Sequence, residues 1–551
     1  MLIGLPVACL GPQSAPARQN VGSSGDQVVP ASSQRMPIRV ALAALLLTAL
    51  SACTPLQLEH PLPPEAALAP ATTGTIAQTV AAIGLAPGES SYRLIESNTD
   101  ALALQLRAAQ LATRSLDSMY YMWLDDVSGR LLACELMRAA DRGVRVRVLV
   151  DDMYARKLPI ELAALDRHPR IELRVYHPYR TRNSAVGAVL EFVFSGFRLN
   201  HRMHNKAWIA DGQIALLGGR NVGDPYFGLH EGFDFRDLGV LLAGAGAREV
   251  SAIFDEYWNS PIVLPLAAVP SRQAVPELAD AQRRLEEGRA RTLAMPEFAP
   301  ILAPRALDAE IRSGERRFLG RDVHVASDLP DKWQQRAAAP IGVAAELRRV
   351  IDGAQREVVL ISPYFVPGRE GIAWLRLLED RGVQVRVLTN SVNATDIPAV
   401  HGGYARYRRR LLRAGIEIHE LKRSSRLRRL ESPFHGSSRA SLHTKAVVID
   451  GRIAFVGSFN LDPRSTWINT EMGVFIDDPR FAAQVRRGYE RSLGGEHSYR
   501  LALEGEHRER LVWYDLQDGQ PRRQTREPTS SWSRRLVALL ARVVPTVERH
   551  L

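Results

Sequence analysis

The sequence predicts an α/β protein made of two homologous halves with mixed, largely parallel sheets. The segment HNKAWIADGQIALLGGRN, which begins at His204, returns as HTKAVVIDGRIAFVGSFN at His443, and 443 − 204 = 239. The segment ADRGVRVRVLVDD, which begins at Ala140, returns as EDRGVQVRVLTNS at Glu379, and 379 − 140 is again 239. A chain of 551 residues is long enough for two such domains.

In each half the order of apolar patterns is strand, helix, strand. A β-like apolar run covers residues 116–123 and 358–366, a helical pattern follows, and the next strand ends in Val-Arg-Val-Leu. This order predicts a right-handed crossover and a parallel core. A further strand is predicted at residues 171–176 and 416–421.

Each repeated block that contains His-x-Lys is predicted to form a β-hairpin. Strands at residues 206–210 and 445–449 lead into Asp-Gly turns that begin at Asp211 and Asp450. Because side chains two residues apart lie on the same face of a strand, the histidine and lysine of each block should point the same way. Asp211 and Asp450 complete the motif, and we expect them to stabilise the turns rather than to touch a substrate.

The repeat and the composition divide the chain into six segments. These are an upstream extension with a signal (1–53), a tether and first helix (54–96), the first homologous domain (97–263), a linker (264–335), the second domain (336–500) and a basic C-terminal tail (501–551). The linker contains a polar helical run and is given no function. An arginine-rich stretch at residues 406–413 could bind lipid phosphates, but the solvated face of a helix is favoured.

The tail contains a candidate amphipathic helix. Its apolar residues can share one helical face, with arginines elsewhere: Trp532, Leu536, Leu539, Leu540 and Val543. Such a pattern is typical of a helix that lies on a membrane surface, and a helix packed on its own domain is the alternative.

The run MPIRVALAALLLTALSAC, which ends at Cys53, resembles a bacterial lipoprotein signal. Arg39 follows a candidate start at Met36, and the apolar stretch is shorter than the ~20 residues of a spanning helix. The resemblance implies cleavage before Cys53 and lipid attachment to it, so we expect an exported, membrane-associated lipoprotein. The residue after Cys53 is Thr54 and not Asp, and this favours the periplasmic face of the outer membrane over the inner membrane. A buried helix or an uncleaved anchor is the alternative.

The composition is that of a basic globular protein. Hydrophobic residues make up 46% of the chain, and 71 basic against 60 acidic residues give a net charge of +11. This surplus favours an anionic partner such as a phospholipid surface or nucleic acid, and charge alone does not choose between them. The three cysteines, Cys9, Cys53 and Cys134, have no metal-ligand spacing, so neither a disulfide framework nor a zinc site is predicted.

Two histidines, two lysines and two asparagines on equivalent elements suit an attack on a phosphodiester without a metal. The histidines would supply a nucleophile and a proton donor, while the lysines and amides would hold the phosphoryl oxygens. An imidazole with its ordinary pKa of about 6.5 can act as acid or base near neutral pH. A lone histidine beside a strand is usually structural, and His201, His230 and His401, which have no counterpart in a repeated motif, are interpreted in that way.

With both blocks in view, the chain from Ser97 to about Gly495 resembles the phospholipase D superfamily. The runs HRMHNK, GGRNVGDPYFG and GSFNLDPRS resemble more narrowly the bacterial cardiolipin synthases of the C type. The resemblance implies two α-β-α sandwich domains packed around a pseudo-twofold axis, so that the active site is complete within one chain. His204 would be the nucleophile and His443 the general acid.

The same resemblance implies a membrane-associated phosphatidyltransferase that acts through a phosphohistidine intermediate. Hydrolysis of phospholipid to phosphatidic acid and a nuclease of the same superfamily are the alternatives. The expected partner is phospholipid at a membrane surface, with no nucleic acid, no metal and no organic cofactor; an accessory protein is not predicted either way.

The resemblance also assigns roles to individual residues. The motif residues counted as catalytic are His204, Lys206, Asp211, His443, Lys445 and Asp450. The residues expected to contact the substrate phosphate are Asn221, Asn460, Ser458 and Gly219, together with the two lysines. A carboxylate is expected behind the histidine of its own half, Asp237 for His204 and Glu471 for His443. Because Asp237 is shorter and lies farther beyond its asparagine, the orientation of His204 is expected to be the less secure.

Overall fold

The computed structural model describes residues 62–155, 158–179, 200–230, 233–269, 274–298, 317–335, 339–423, 440–507, 509–528 and 532–543. The predicted signal and its cysteine lie outside these ranges. All of the described residues fall in one compact unit. Within them, no helix combines the length and the apolar character that crossing a bilayer requires.

The first half of the described chain alternates strands and helices. In chain order its elements are α1 (Thr75–Ile83), β1 (Ser90–Ile95), α2 (Asn98–Leu111), β2 (Ser115–Tyr120), α3 (Val127–Asp141), β3 (Arg145–Asp151), α4 (Asp152–Ala155), α5 (Ile160–Leu165), β4 (Ile171–Tyr176), β5 (Ala207–Ala210), β6 (Ile214–Gly218), α6 (Asp224–Phe227), β7 (Asp234–Arg236), β8 (Gly239–Gly244), α7 (Ala245–Trp258), β9 (Val263–Pro265), α8 (Leu278–Leu293) and β10 (Phe318–Gly320). The first sheet has the strand order β10-β1-β8-β6-β5-β2-β3-β4-β9.

The second half repeats this order and extends it. Its elements are β11 (Val323–Ser327), α9 (Gly342–Asp352), β12 (Glu357–Ile361), α10 (Gly368–Asp380), β13 (Gln384–Asn390), α11 (Pro398–Ala405), α12 (Arg408–Arg413), β14 (Glu417–Leu421), β15 (Ala440–Leu442), β16 (Ala446–Ile449), β17 (Ile453–Gly457), α13 (Pro463–Trp467), β18 (Met472–Asp477), α14 (Pro479–Leu493), β19 (Ser498–Glu504), β20 (Arg510–Gln517), β21 (Gln520–Gln524) and α15 (Trp532–Val543). The second sheet has the order β11-β18-β17-β16-β12-β13-β14-β19-β20-β21.

The predicted parallel core is present at the centre of each sheet. Strand β3 pairs in parallel with β2 and β4, and β13 does the same with β12 and β14. The connecting helix α3 is capped by Asp126, whose side chain accepts a hydrogen bond from the backbone N–H of Gly129. It buries the apolar face that the sequence pattern predicted, including Leu132 and Leu136.

The structure does not confirm the expectation that the sheets are largely parallel. Among the described strands, the remaining neighbours in each of the two large sheets pair antiparallel. The reason is that the repeated hairpins, β5–β6 and β16–β17, add antiparallel strands beside β2 and β12. Each hairpin turns at the predicted Asp-Gly pair, and Asp211 and Asp450 have left-handed φ values of 55° and 53°.

The predicted linker forms part of both sheets. Strand β10 pairs with β1 at the edge of the first sheet, and β11 pairs with β18 at the edge of the second. One cluster of buried apolar side chains includes Met119 and Phe254 from the first half and Val359 and Phe481 from the second. The two halves therefore share a hydrophobic core, and their contact surface is the place where the histidine blocks meet.

Candidate active site

Each repeated histidine is bonded through its backbone to the opposite half. The N–H of His204 donates to the carbonyl oxygen of Thr470, and the N–H of His443 donates to that of Arg236, both at 2.8 Å. Strand β15, which leads to His443, also pairs in parallel with β7 of the first half. Both histidines therefore lie along the contact between the halves.

Polar side chains at the ends of the central strands fix the residue before each histidine. Asp151, the last residue of β3, accepts a hydrogen bond from the N–H of Met203 at 2.8 Å. Asn390, the last residue of β13, accepts one from the N–H of Leu442 at 3.0 Å. The carboxyl ends of the parallel strands thus hold both histidine blocks in equivalent positions.

Each imidazole is oriented by a carboxylate that belongs to the opposite half. Nδ1 of His204 lies 2.8 Å from Oε2 of Glu471, and Nδ1 of His443 lies 2.6 Å from Oδ2 of Asp237. The prediction that each carboxylate serves its own half is therefore wrong. The backbone pairing across the interface, with Thr470 beside His204 and Arg236 beside His443, carries the next residue to the opposite ring.

The structure also reverses the expectation that His204 is the less securely oriented histidine. Besides His204, the carboxylate of Glu471 accepts hydrogen bonds from the hydroxyls of Ser458 at 2.5 Å and Ser465 at 2.8 Å. Asp237 accepts one further bond, from the N–H of Leu238 at 2.8 Å. Glu471 is thus the more firmly held of the two carboxylates.

Ser458 and Gly219 lie against the carboxylates that orient the histidines, and their contact with a substrate phosphate stays a prediction. Ser458 is fully buried and uses its hydroxyl on Glu471. At the equivalent Gly219, an added Cβ would lie 2.4 Å from Oδ1 of Asp237. Gly219 therefore makes room for the carboxylate of Asp237, and Ser458 supports the carboxylate of Glu471.

The two lysines of the motif lie beside the histidines and are almost fully buried. Nζ of Lys206 and Nζ of Lys445 each donate to the carbonyl oxygen of the histidine two residues earlier, at 2.5 Å. Burial lowers the pKa of Lys206 well below its ordinary value and that of Lys445 to about 8, against the opposing effect of nearby carboxylates.

Both imidazoles have lowered pKa values because they are buried. The pKa of His204 falls to about 4 and that of His443 to about 3, although Glu471 and Asp237 act in the opposite direction. The sequence alone suggested an ordinary histidine pKa near neutrality. Before substrate binds, both rings are therefore neutral at pH 7, and a carboxylate that accepts Nδ1–H leaves the lone pair on Nε2.

Asn221 and Asn460 occupy equivalent buried positions. Nδ2 of Asn221 donates to Oη of Tyr226 at 2.9 Å. Oδ1 of both asparagines is buried and has no hydrogen-bond partner among the described residues. Because an unpartnered buried acceptor is costly, these two carbonyl oxygens are suited to accept a hydrogen bond from a donor group of a ligand. Their contact with a substrate phosphate stays a prediction.

Asp211 and Asp450 lie at the hairpin turns and not beside the reacting groups, so their place in the catalytic set is corrected. The carboxylate of Asp211 accepts hydrogen bonds from three successive backbone N–H groups at the start of β2, at 2.7–3.1 Å. The carboxylate of Asp450 does the same at the start of β12, at 2.8–3.0 Å. Both residues tie a hairpin to the central strand, as the turn interpretation expected.

A match of a family model over both halves shows to which family the chain belongs. The model of the family described as "Cardiolipin synthase, PLD-like domain" matches residues 105–258 and 347–493. The chain belongs to this family of the phospholipase D superfamily. It is 37% identical over 472 residues to cardiolipin synthase C of Escherichia coli (strain K12), which covers 83% of this chain and 96% of that protein.

A second relative and a solved structure also match most of the chain. The chain is 26% identical over 412 residues to a cardiolipin synthase of Staphylococcus aureus (strain Mu50), across 74% of this chain and 67% of that one. The crystal structure of phosphatidylserine synthase from Haemophilus influenzae Rd KW20 superposes with a TM-score of 0.50 at 15% identity. That match covers 74% of this chain and 87% of the other, and it shows a shared fold.

Aromatic rings beside the two histidines of this PLD-like site were not predicted. The ring centroid of Tyr121 lies 5.2 Å from that of His204. The rings of Tyr226 and Phe235 lie 5.3 Å and 4.7 Å from that of His443. Tyr226 belongs to the run GDPYFG that follows the first motif, which is the signal that could have identified it.

The linker supplies a further group that sequence analysis missed. Oδ2 of Asp328, just after β11, accepts a hydrogen bond from the N–H of Glu471 at 3.0 Å and is paired with Nζ of Lys332 at 2.8 Å. Lys332 also donates to the carbonyl oxygens of Ser465 and Asn469. The linker therefore positions the carboxylate that orients His204, and its sequence has no repeat partner that could have revealed this.

Proposed function

We propose that this protein transfers a phosphatidyl group from a phospholipid to an alcohol through a phosphohistidine intermediate. The observation that carries the proposal is the pair of crossed contacts, in which His204 is held by Glu471 and His443 by Asp237. Two oriented imidazoles, each followed by a buried lysine, suit a two-step substitution at phosphorus. Membership of the cardiolipin synthase family supports the choice of phospholipid as substrate.

In the first step Nε2 of His204 attacks phosphorus, and the bond between phosphorus and the leaving alcohol breaks. His443 gives its Nε2 proton to the oxygen of that alcohol. In the second step His443 takes the proton of an incoming alcohol, whose oxygen attacks phosphorus and releases Nε2 of His204. The ammonium groups of Lys206 and Lys445 would stabilise the charge on the phosphoryl oxygens.

The lowered histidine pKa values fit these two reaction steps. A neutral His204 is ready to attack at pH 7, since its pKa lies near 4. The negative charge of a bound phosphodiester favours the protonated form of a neighbouring imidazole. His443 would therefore gain the proton that it donates only when substrate occupies the site.

The incoming alcohol decides the product. With phosphatidylglycerol as acceptor the product is cardiolipin, which is the product we favour because the relative from E. coli is named cardiolipin synthase C. With water the product is phosphatidic acid, and the protein is then a phospholipase D. Both outcomes use the same intermediate.

The test is to incubate the purified protein with defined phospholipids, singly and in pairs, in excess chelator, and to identify the products by mass spectrometry. We expect turnover by wild type and its loss in His204→Ala and His443→Ala. The matched control is His324→Ala, which removes an imidazole that is 61% exposed in its side chain. Retained turnover in either motif mutant would overturn the proposal, and cleavage of labelled DNA that depends on both histidines would favour a nuclease.

A substrate with a good leaving group separates the roles of the histidines. A phosphatidyl ester of p-nitrophenol needs no general acid, so His443→Ala should release one equivalent of nitrophenol and retain a phosphatidyl adduct on His204. His204→Ala should give neither. The opposite pattern would exchange the two roles while leaving the proposed reaction intact.

We also propose that the protein is an exported lipoprotein attached through Cys53, on the periplasmic face of the outer membrane. The signal-like run before Cys53 and Thr54 after it support this location. Labelled palmitate should be incorporated by wild type and not by Cys53→Ser, and fractionation of the envelope should recover the labelled protein with the outer membrane. Incorporation that is unchanged in Cys53→Ser would contradict the attachment site.

A further inference from the structure

Helix α15 (Trp532–Val543) directs its apolar residues away from the protein. Trp532 is 77% exposed, and the other large apolar residues of this set are 44–57% exposed: Leu536, Val537, Leu539 and Leu540. Together these five residues form the outward face of α15. A helix packed on its own domain normally buries its apolar side, so this face calls for another apolar surface.

The opposite side of α15 is fixed to the second half. Ala538 is buried, and Nη1 of Arg534 donates to the carbonyl oxygens of Val392 at 3.2 Å and Thr395 at 2.7 Å. The helix packs against α11. The alternative of a helix packed on its own domain is confirmed for the small and basic side of α15, and the membrane-surface interpretation stays a prediction.

The segment before α15 is held by a buried ion-pair network. Glu527 contacts Arg408 at 2.6 Å and His401 at 2.8 Å, and Arg408 also contacts Glu420 at 2.6 Å. Although burial alone would raise the pKa of Glu527, Arg408 and His401 hold it far below its usual range. The prediction that the arginine-rich stretch is a solvated helix face is therefore wrong for Arg408, which anchors the tail.

This anchorage places α15 next to the active site. The loop that receives Arg534 directly follows β13, whose last residue, Asn390, holds the backbone before His443. Asp396, in the same loop, is close enough to Lys445 for each charge to affect the pKa of the other group. The helix that presents the outward face is thus attached to the loop that lies beside Lys445.

We propose that the outward face of α15 docks on a bilayer that contains anionic phospholipid and brings the active site to the lipid headgroups. A bilayer is the occupant chosen because the proposed substrate is a phospholipid, so the inference rests on the proposed function. Charge supports the same choice, since Arg535 flanks the outward face and Arg522 and Arg526 precede the helix. Basic side chains beside an apolar helix face strengthen attachment to anionic lipid.

The direct test is an environment-sensitive label on the helix of the full chain. Leu540→Cys, labelled with a nitrobenzoxadiazole dye, should brighten and shift to shorter wavelength when vesicles of phosphatidylcholine and phosphatidylglycerol are added. The matched control is Leu377→Cys on α10, which is 62% exposed and should not respond. Cys9 and Cys53 are replaced by serine in both proteins, and Cys134 is buried.

A second arm separates docking from chemistry. Leu540→Glu should lower turnover of vesicle substrate at least about tenfold, because an exposed leucine that the bilayer would cover becomes charged. Its turnover of a dissolved short-chain phosphatidylglycerol should equal that of wild type and of Leu377→Glu. If no phospholipid is turned over at all, the proposed function fails, while the label still reports on docking.

Two results would overturn the inference. One is a label at position 540 that does not respond to vesicles, together with unchanged turnover of vesicle substrate by Leu540→Glu. The other is a label that brightens with protein concentration in the absence of lipid, which would assign the outward face to a second copy of this chain.

Discussion

Nδ1 of His204 lies 2.8 Å from Oε2 of Glu471, a carboxylate that is 267 residues away in the sequence and belongs to the other half of the molecule. The reciprocal contact joins His443 to Asp237 at 2.6 Å. Each imidazole is therefore presented by one half and oriented by the other. Changes to the carboxylates should affect the histidine across the interface.

We expect Glu471→Gln to impair His204 and Asp237→Asn to impair His443. An amide in place of the carboxylate no longer fixes the Nδ1–H tautomer, so each change should slow turnover by about 10²- to 10⁴-fold. The measurement is a set of double-mutant cycles on turnover. Strong non-additivity is expected for His204 with Glu471 and for His443 with Asp237, and coupling within each half instead would refute the crossed arrangement.

Gly219 and Ser458 occupy equivalent positions in the two halves, and we expect only the position of Ser458 to tolerate a substitution by alanine. Gly219→Ala places a Cβ 2.4 Å from Oδ1 of Asp237, so it should displace that carboxylate and reduce kcat severely. Ser458→Ala removes one hydrogen bond to Glu471, which Ser465 still supports, so its effect should stay within about tenfold. Thermal unfolding of both variants distinguishes a kinetic effect from a folding defect, and equal kcat values would contradict the prediction.

Asp211 should matter for stability and not for chemistry. Asp211→Ala removes a buried carboxylate that accepts three backbone N–H groups, and it leaves alanine at a left-handed φ of 55°. We expect the free energy of unfolding to fall by about 3 kcal/mol. Urea denaturation measures this loss, and kcat per folded molecule should stay near that of wild type. The partly exposed Asp450→Ala should cost less.

Affinity for a phosphodiester should depend on pH through Lys445. Below its pKa of about 8 this ammonium is charged and binds the anion, and above that pH the charge is lost before the anion binds. The dissociation constant of dimethyl phosphate, measured by ³¹P NMR titration, should therefore rise about tenfold per pH unit above pH 8. Lys445→Ala should bind weakly without this dependence, and His324→Ala should retain it. A constant affinity from pH 7 to 9.5 in wild type would contradict the assignment.

The sequence predicted the repeated parts of the molecule well, because each has a local signal. The Asp-Gly turns, the strand-helix-strand order and the His-x-Lys blocks all follow from short patterns that occur twice. The crossed carboxylates could not be predicted in this way. Aligning one repeat with the other relates residues within a half, whereas Asp237 and Glu471 reach their histidines through pairings between the halves.

The contribution of the linker was hidden for a different physical reason. Strands β10 and β11 are three and five residues long, too short to give a clear alternation of apolar and polar residues. Asp328 and Lys332 look like ordinary surface charges in the sequence, and only their burial beside Glu471 shows that they support the site.

The closeness of β10 and β11 restricts how the molecule can move. Only Arg321 and Asp322 separate a strand that is hydrogen-bonded into one sheet from a strand that is bonded into the other. Because two residues span only a few ångströms, the paired edges of the two sheets must stay close to each other. We therefore expect the two halves to keep their shared contact while substrate enters and product leaves the site, so that turnover does not depend on a hinge between β10 and β11.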